Sequence, residues 1–323
     1  MNLRANQHVD ARKIGLPLQP RWGLCCQFVD QPIKFRTTTV AACLRLDRRR
    51  QLAKLASLCV QNAAALLAAR EYCAGHGIGC FRVNSQILPV VTHRDVGYRV
   101  VDLPEGDAIV AAFRRCGAFA ATHGLRLTFH PDQYVVLSSP RAEVVERSLA
   151  EIECQAEIAE WVGADVINIH AGGAYGDKPA ALARLAKNLA RLSPRARARI
   201  TLENDDATYT VDDLLPWCRR EGVPLVYDVH HHRCLGDGLG VDEATDAAAE
   251  TWDREPLVHV SSPKDGWSGP APQRHHDFIA AADFPEFWRN KRMTVEVEAK
   301  AKELAIAKLQ RDLALRFAAS APR

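Results

Sequence analysis

The 323-residue sequence contains no Cys-x-x-Cys pair. Its ten cysteines are scattered, which argues against a zinc knuckle and for reduced packing residues in a reducing compartment. It shows no apolar run near the roughly 20 residues needed to span a bilayer. Met1 to Gln19 also lacks the apolar core of a signal peptide. A cytoplasmic location is expected, with no membrane partner. An excess of one charge is missing too: 42 basic residues nearly cancel 39 acidic ones, leaving +3. Overall charge therefore does not argue for nucleic acid, and any field that attracts it must be local. There is no short-period repeat, linker or shift of composition to mark a second domain. What is present, 47% hydrophobic and 25% charged residues, suits one soluble chain with a large core. Residues 1–19 mix charge, Gly and Pro without periodicity and read as a mobile N-terminal leader, leaving 20–323 as a single domain.

Within that domain short apolar strands alternate with longer helical stretches. Strands are expected at Arg21–Cys26, Gly79–Val83, Leu125–Phe129, Asp165–Ile169, Arg199–Leu202, Leu225–Asp228, Pro256–Ser262 and Arg292–Val297. Asp47 or the threonines before it are placed to cap an alanine-rich helix that stops near His76-Gly77. Helices at 105–123, 141–162, 177–192, 210–220, 242–252 and 299–317 follow. Strands separated by helices require right-handed parallel crossovers, and eight of them in one chain imply an α/β fold, a (β/α)8 TIM barrel. An open doubly wound sheet satisfies the same strand pattern.

The informative stretch is Leu225-Val-Tyr-Asp228-Val-His230-His231-His232-Arg233, an apolar run that ends in an acid and three imidazoles. The same layout, a strand and then a metal-capable side chain, recurs along the chain. Collecting residues at strand ends, or in the loops just after, gives His93, His130, His170, Glu203, Asp228, His231, His259, His275 and Glu298. In a barrel these ends converge on one mouth. Carboxylates and imidazoles crowded there without cations would repel or lie buried without partners, and divalent metals resolve that conflict. Mixed His and Asp/Glu ligands suit Zn, Mn or Fe. Nine ligands exceed the need of one ion, so two or three ions are expected, with Glu203 the best bridging carboxylate. Such a centre suggests displacement at phosphorus, hydrolysis of a phosphodiester above all. The rival chemistry is sugar isomerisation, which leans on more carboxylates and a lysine.

Six stretches carry a resemblance: Phe35-Arg-Thr-Thr-Thr39, His130-Pro-Asp-Gln-Tyr134, Leu202-Glu-Asn-Asp-Asp206, Asp228-Val-His-His-His232, His259-Val-Ser-Ser-Pro263 and Glu298-Ala-Lys-Ala-Lys-Glu303. Together, from about Arg21 to about Leu315, they resemble the UV damage endonucleases, relatives of the endonuclease IV type. The resemblance implies a (β/α)8 barrel, a cluster of up to three divalent ions usually including manganese, and DNA repair. It also implies incision of damaged double-stranded DNA 5′ of UV photoproducts by metal-activated water. Its ligands fall on the nine residues above, with His276 as the alternative to His275. Glu203, Asp228, His231 and Glu298 are the catalytic members. Gln133 and Tyr134 match the pair that is inserted at the lesion, where a flat ring replaces lost stacking; for Tyr134 the plain alternative is packing under the following helix. Lys178, Arg233 and Lys264 are placed to touch phosphates or simply to lie on the surface. Departures from the pattern are Leu257, where the family often has a lysine; Leu24 in place of a tyrosine; and Phe28 or Gln27 in place of an asparagine. The enzyme is expected to act as a monomer without a protein partner. A lesion-binding protein without cleavage is the reading from a different class.

Overall fold

Each strand is a run of about four apolar or alternating residues bounded by turn signals, too short to be stable except as one stave of a closed sheet. A computed structural model describes residues 20–319; the leader expected at 1–19 lies outside the described residues. The order along the chain is β1 (Arg21–Cys25), α1 (Val40–Leu44), α2 (Arg48–Gly75), β2 (Cys80–Val83), α3 (Gly106–Thr122), β3 (Arg126–Phe129), α4 (Ala142–Val162) and β4 (Val166–His170). It continues α5 (Lys178–Leu189), α6 (Pro194–Arg197), β5 (Ile200–Glu203), α7 (Val211–Glu221), β6 (Leu225–Asp228), α8 (Val229–Cys234), α9 (Val241–Ala249), β7 (Leu257–Val260), β8 (Thr294–Val297) and α10 (Lys302–Ala319). The eight strands pair in sequence order, all parallel, and β8 closes on β1. The expected TIM barrel is thus the fold, and closure excludes the open sheet.

Helix boundaries follow the capping chemistry. Asp47 accepts from the Arg50 amide and starts α2, while Thr39 caps the separate short α1. Thr210 and Asp213 form a capping box on α7. Gly163 and Gly222 end α4 and α7 in the left-handed region. One expectation is corrected in α2. An 18-residue window of it has mean hydropathy 1.5, so by length and composition it is apolar enough to cross a bilayer. Its buried stripe of Leu55, Cys59, Ala63, Leu66, Ala69 and Cys73 recurs every three or four residues, and the helix packs against α3 and β2, as an outer barrel helix does.

Alternation along the strands splits the core in two. Phe81, Leu127, Ile169, Leu202, Tyr227, Val258 and Val295 lie between the barrel and its helices, all buried. The opposite parity points inward; its lower end is closed by Val166, Val226 and Leu257, and above them the residues are polar: Arg82, Thr128, Asn168, Thr201, Glu203, Asp228, His259 and Glu296, also all buried. Register sets His170 beside Glu203, Asp228 beside His259, and His259 beside Glu296. Gly23 is needed at that level, because a Cβ there would lie 2.8 Å from Cγ of Glu296. A charged layer thus sits inside the barrel, just below its carboxyl-terminal mouth.

Candidate metal centre

The stretch from Leu225 folds differently from a strand with a trailing loop. Asp228 ends β6 and also caps α8, its Oδ1 accepting from the His230 and His231 amides at 2.7 and 2.9 Å. The helical turn sends the three imidazoles three ways. His231 returns over Asp228, Nδ1 to Oδ2 3.6 Å. His232 is tied to the Tyr227 hydroxyl and Asp237, and His230 packs by Trp267 and His275. Only the i,i+3 partner faces the mouth.

Glu203, 1% exposed, is the hub. Its Oε2 accepts from His130 Nε2 at 3.0 Å and Asn168 Nδ2 at 2.5 Å, and His170 Nε2 lies 4.0 Å away. Its Oε1 accepts from His259 Nδ1 at 3.0 Å, with His231 Nδ1 at 3.4 Å. Glu298 stands opposite, 3.5 Å from His259 Nδ1 and 3.7 Å from His275 Nδ1. His275, not His276, is the member that faces the cavity, because the His276 ring nitrogen accepts from the Phe278 amide. Three overlapping sets, His130–Glu203–His259, Glu203–Asp228–His231 and Asp228–His259–Glu298, each bring their donor atoms within 4.8 Å of one another.

Backbone contacts orient these rings. His231 Nδ1 donates to Asn204 O at 2.9 Å, which leaves its Nε2 free for a ligand, and the His130 ring is held between Pro131 O at 3.2 Å from Nδ1 and Glu203 at Nε2. Asp228 Oδ2 and His170 Nδ1 are buried with no hydrogen-bond partner, a costly arrangement that a cation relieves for the carboxylate. Burial opposes a proton on His231, but Asp228, Glu203 and Glu298 outweigh it and hold its pKa well above the ordinary imidazole value. Burial likewise opposes charge on Glu203, yet His259, His170 and the hydrogen bonds from His130 and His231 keep it well below the usual carboxylate range. His170 goes the other way, its pKa lowered by burial. Unpaired buried acceptors, neutral imidazole and overlapping carboxylates are the donor set of a divalent ion, and these groups can hold metal.

These shifts carry a pH prediction. In the metal-free protein the raised His231 pKa contributes stability that is fully present below the ordinary imidazole value and is lost as pH rises through the raised one. A metal entering against that proton must displace it, so affinity should rise with pH, by up to about tenfold per unit for one proton. Metal titrations at pH 6, 7 and 8 check this; an affinity flat across the three would refute it.

Above the cluster opens a cavity of ≈ 990 Å³, lined in part by His130, His170, Glu203, His231, His275 and Glu298. Asp228 and His259, both 0% exposed, lie beneath its floor. Gln133 and Tyr134 line its wall. Val135 and Leu137 are buried, the Val136 amide donates to Ser148 at 2.8 Å, and Ser85 donates to Asp132 at 3.2 Å. Anchored on both sides, the loop pushes Gln133 and Tyr134 outward. Tyr134 is 64% exposed, so it is not packed under α4. Gly172, at φ +85 with a Cβ position only 2.6 Å from Ser138 Oγ and Val136 Cγ1, lets the loop after His170 pass beside this one.

Four sequence-selected residues do not come to the cavity. His93 sits in a separate turn, its Nδ1 accepting from the Asp95 amide at 3.2 Å. Lys178 is paired with Asp213 at 2.7 Å over the Tyr209 ring, and Arg233 donates to Asp283 O and stacks on Trp267. Lys264 is likewise absent from the lining. Leu24 and Phe28 are buried in the core, while Gln27, with Cys26, reaches the cavity. Arg82 and Glu296 were missed, although the signal was present: each is a charged residue on the inward parity of an otherwise apolar strand. Arg82 donates through Nε to Glu296 at 2.6 Å and lies 2.6 Å from Glu298 through Nη1.

Comparison with known proteins identifies the family. Residues 20–319 match the family described as UV-endonuclease UvdE. A UV DNA damage endonuclease of Bacillus velezensis is 34% identical over 290 residues, covering 86% of this chain and 88% of that protein. The crystal structure of SacUVDE superposes with TM-score 0.81 at 27% identity, over 93% of this chain and 99% of the other. Endonuclease IV from Thermus thermophilus shares the fold, with TM-score 0.58 at 18% identity over 92% and 98% of the two chains. With the matched region spanning the whole described barrel, the chain belongs to the UV-endonuclease UvdE family and is an endonuclease of DNA repair.

Proposed function

We propose that the barrel incises damaged double-stranded DNA 5′ of UV photoproducts in a metal-dependent reaction, with manganese the preferred ion. The observation that carries this reading is the sharing of Glu203 and Asp228 among three donor sets at the floor of one open cavity. The residues that would hold the ions are His130, His170, Glu203, Asp228, His231, His275 and Glu298, with His259 buried behind Glu203. Divalent ions there would neutralise charge at a phosphate and make a water molecule acidic enough to attack near neutral pH. The protein's own part is orientation. Asn168 holds Glu203, the Asn204 carbonyl holds His231, and the Asp228 cap locks the turn that carries His231. Exposed Gln133 and Tyr134 meet the duplex beside this floor, where a damaged base step costs less to open than an intact one.

The test is nicking of irradiated supercoiled plasmid with Mn, Mg, Co and Zn compared, followed by mapping of the cut on an oligonucleotide with one defined lesion. Nicking that EDTA abolishes and manganese restores, at the bond 5′ of the lesion, is expected. Tight lesion binding without a nick at any metal would leave only a binding protein.

A further inference from the structure

A second cavity, of ≈ 420 Å³, adjoins the first and shares Cys26, Arg82, His275 and Glu298 with it. Its outer rim is basic. Arg274, Lys300 and Lys302 line it, and Glu298 is the one acid in its wall. That acid is already engaged by Arg82 Nη1 at 2.6 Å and faces His259 and His275. Among the described residues none of the three rim cations is paired with an acid, whereas Arg195 of α6 and Arg219 of α7 each lie within 3.4 Å of a glutamate. The larger cavity has the opposite sign: Asp132, Asp205 and Asp206 line it, and Arg82 is its only lysine or arginine.

The basic rim is held by its backbone. The Lys264 amide donates to Arg274 O at 2.6 Å and the His276 amide to Ser262 O at 2.8 Å, which seats Arg274 beside the end of β7. The Lys300 and Ala301 amides donate to His276 O and Asp277 O at 3.2 and 2.9 Å, stitching the segment after β8 to the same loop. Buried Glu303 accepts from the Val29 and Asp30 amides at 3.0 and 2.7 Å, so the start of α10 is tied to the loop after β1. Between these anchors Lys302 is held at φ +50, a left-handed conformation that is costly for a residue with a Cβ and that recurs at ligand clamps.

We propose that the second cavity seats the phosphate of the damaged strand one step 5′ of the scissile one. The strand then runs 5′ to 3′ from Arg274, Lys300 and Lys302, across the metal centre, to Gln133 and Tyr134. This rests on the reading of the barrel as an enzyme that cuts 5′ of the lesion. A lesion met by Gln133 and Tyr134 lies on the 3′ side of such a cut, so the chain on the 5′ side must leave over another part of the mouth. The loop after β8 stands three strands round the closed barrel from the loop after β3. Charge selects the same exit, because the aspartates of the large cavity repel a phosphate and the unpaired cations attract it. Contacts of this kind set register, not sequence. With the lesion held at one end and this phosphate at the other, the scissile bond is placed over the metal ligands between them.

The test is equilibrium binding, with EDTA present so that no strand is cut. The probes are duplexes carrying one defined lesion and a single methylphosphonate, an uncharged phosphate analogue, at successive positions on either side of it. In the wild-type protein the analogue one step 5′ of the scissile position should weaken binding roughly tenfold, and analogues 3′ of the lesion less than about threefold. A variant combining Arg274→Gln, Lys300→Gln and Lys302→Gln should bind the unmodified duplex roughly tenfold more weakly, with a salt slope reduced by about 1. The 5′ analogue should then cost it less than about twofold more, because the contact is already gone. An equal penalty in both proteins overturns the phosphate seat, and a penalty that the variant absorbs 3′ of the lesion overturns the strand direction. Should the triple variant fail to fold, Arg274→Gln with Lys300→Gln, both exposed, replaces it, and a wild-type scan without the 5′ penalty overturns the proposal by itself. Mapping of the cut with metal present is a separate measurement: no nick, or a nick elsewhere, refutes the 5′ incision reading, while the binding scan still reports on the phosphate seat.

Discussion

Glu203→Gln should eliminate incision while leaving damaged DNA bound. The carboxylate is shared by two of the three donor sets and receives His130, Asn168 and His259. The amide keeps the shape but removes the negative charge and presents an NH2 toward groups that are themselves donors. At least one of the hydrogen bonds is then lost in a buried site, costing about 1–3 kcal/mol of stability. Catalysis suffers far more, because ions held by the remaining ligands lose their common carboxylate. A fall in nicking rate on the order of 10³-fold or more, about 4 kcal/mol in the barrier, is expected. Plasmid nicking, metal content and filter binding on one preparation separate the effects. Cleavage within tenfold of wild type would remove Glu203 from the hub, whatever the metal content.

That hub was legible because its parts obey a strong rule: residues at the carboxyl ends of parallel strands meet at one mouth. His130, His170, Glu203, Asp228 and Glu298 are each the last inward residue of a strand or the first after it, so strand ends alone select them. His275 lies in a loop but returns through a short pairing of its backbone with Pro263, which no periodicity announces. His93 fails the same test from the other side. It follows β2 by ten positions, and a turn in which its carbonyl accepts from the Gly97 amide holds the segment elsewhere. Lys178 and Arg233 were candidates by sequence proximity, yet a neighbouring acid and an aromatic face satisfy each of them locally. Arg82 does not stand at a strand end, and only the inward parity, which runs down the strand as well, marks it. The same parity places Glu296 two residues before Glu298, one layer deeper. Reading both layers, and not the rim alone, would have exposed a cation already built into the floor.

Tyr134→Ala is expected to separate recognition from chemistry. The ring is 64% exposed on a loop whose neighbours Val135 and Leu137 are buried, so its removal leaves the anchor intact and stability within about 0.5 kcal/mol of wild type. It is not a ligand, and metal content should not change. What is lost is a flat surface against which bases can stack once a damaged step opens, worth about 1–3 kcal/mol per base. Discrimination between lesion-bearing and intact duplex should therefore fall by about 5- to 150-fold, with the loss concentrated on the damaged substrate. Tyr134→Phe, which keeps the ring and drops the hydroxyl, should retain most of the discrimination. Competition binding with matched damaged and intact oligonucleotides measures the ratio directly. If alanine leaves that ratio unchanged, the ring is not a probe of the lesion; if phenylalanine loses as much as alanine, the hydroxyl and not the stacking surface makes the contact.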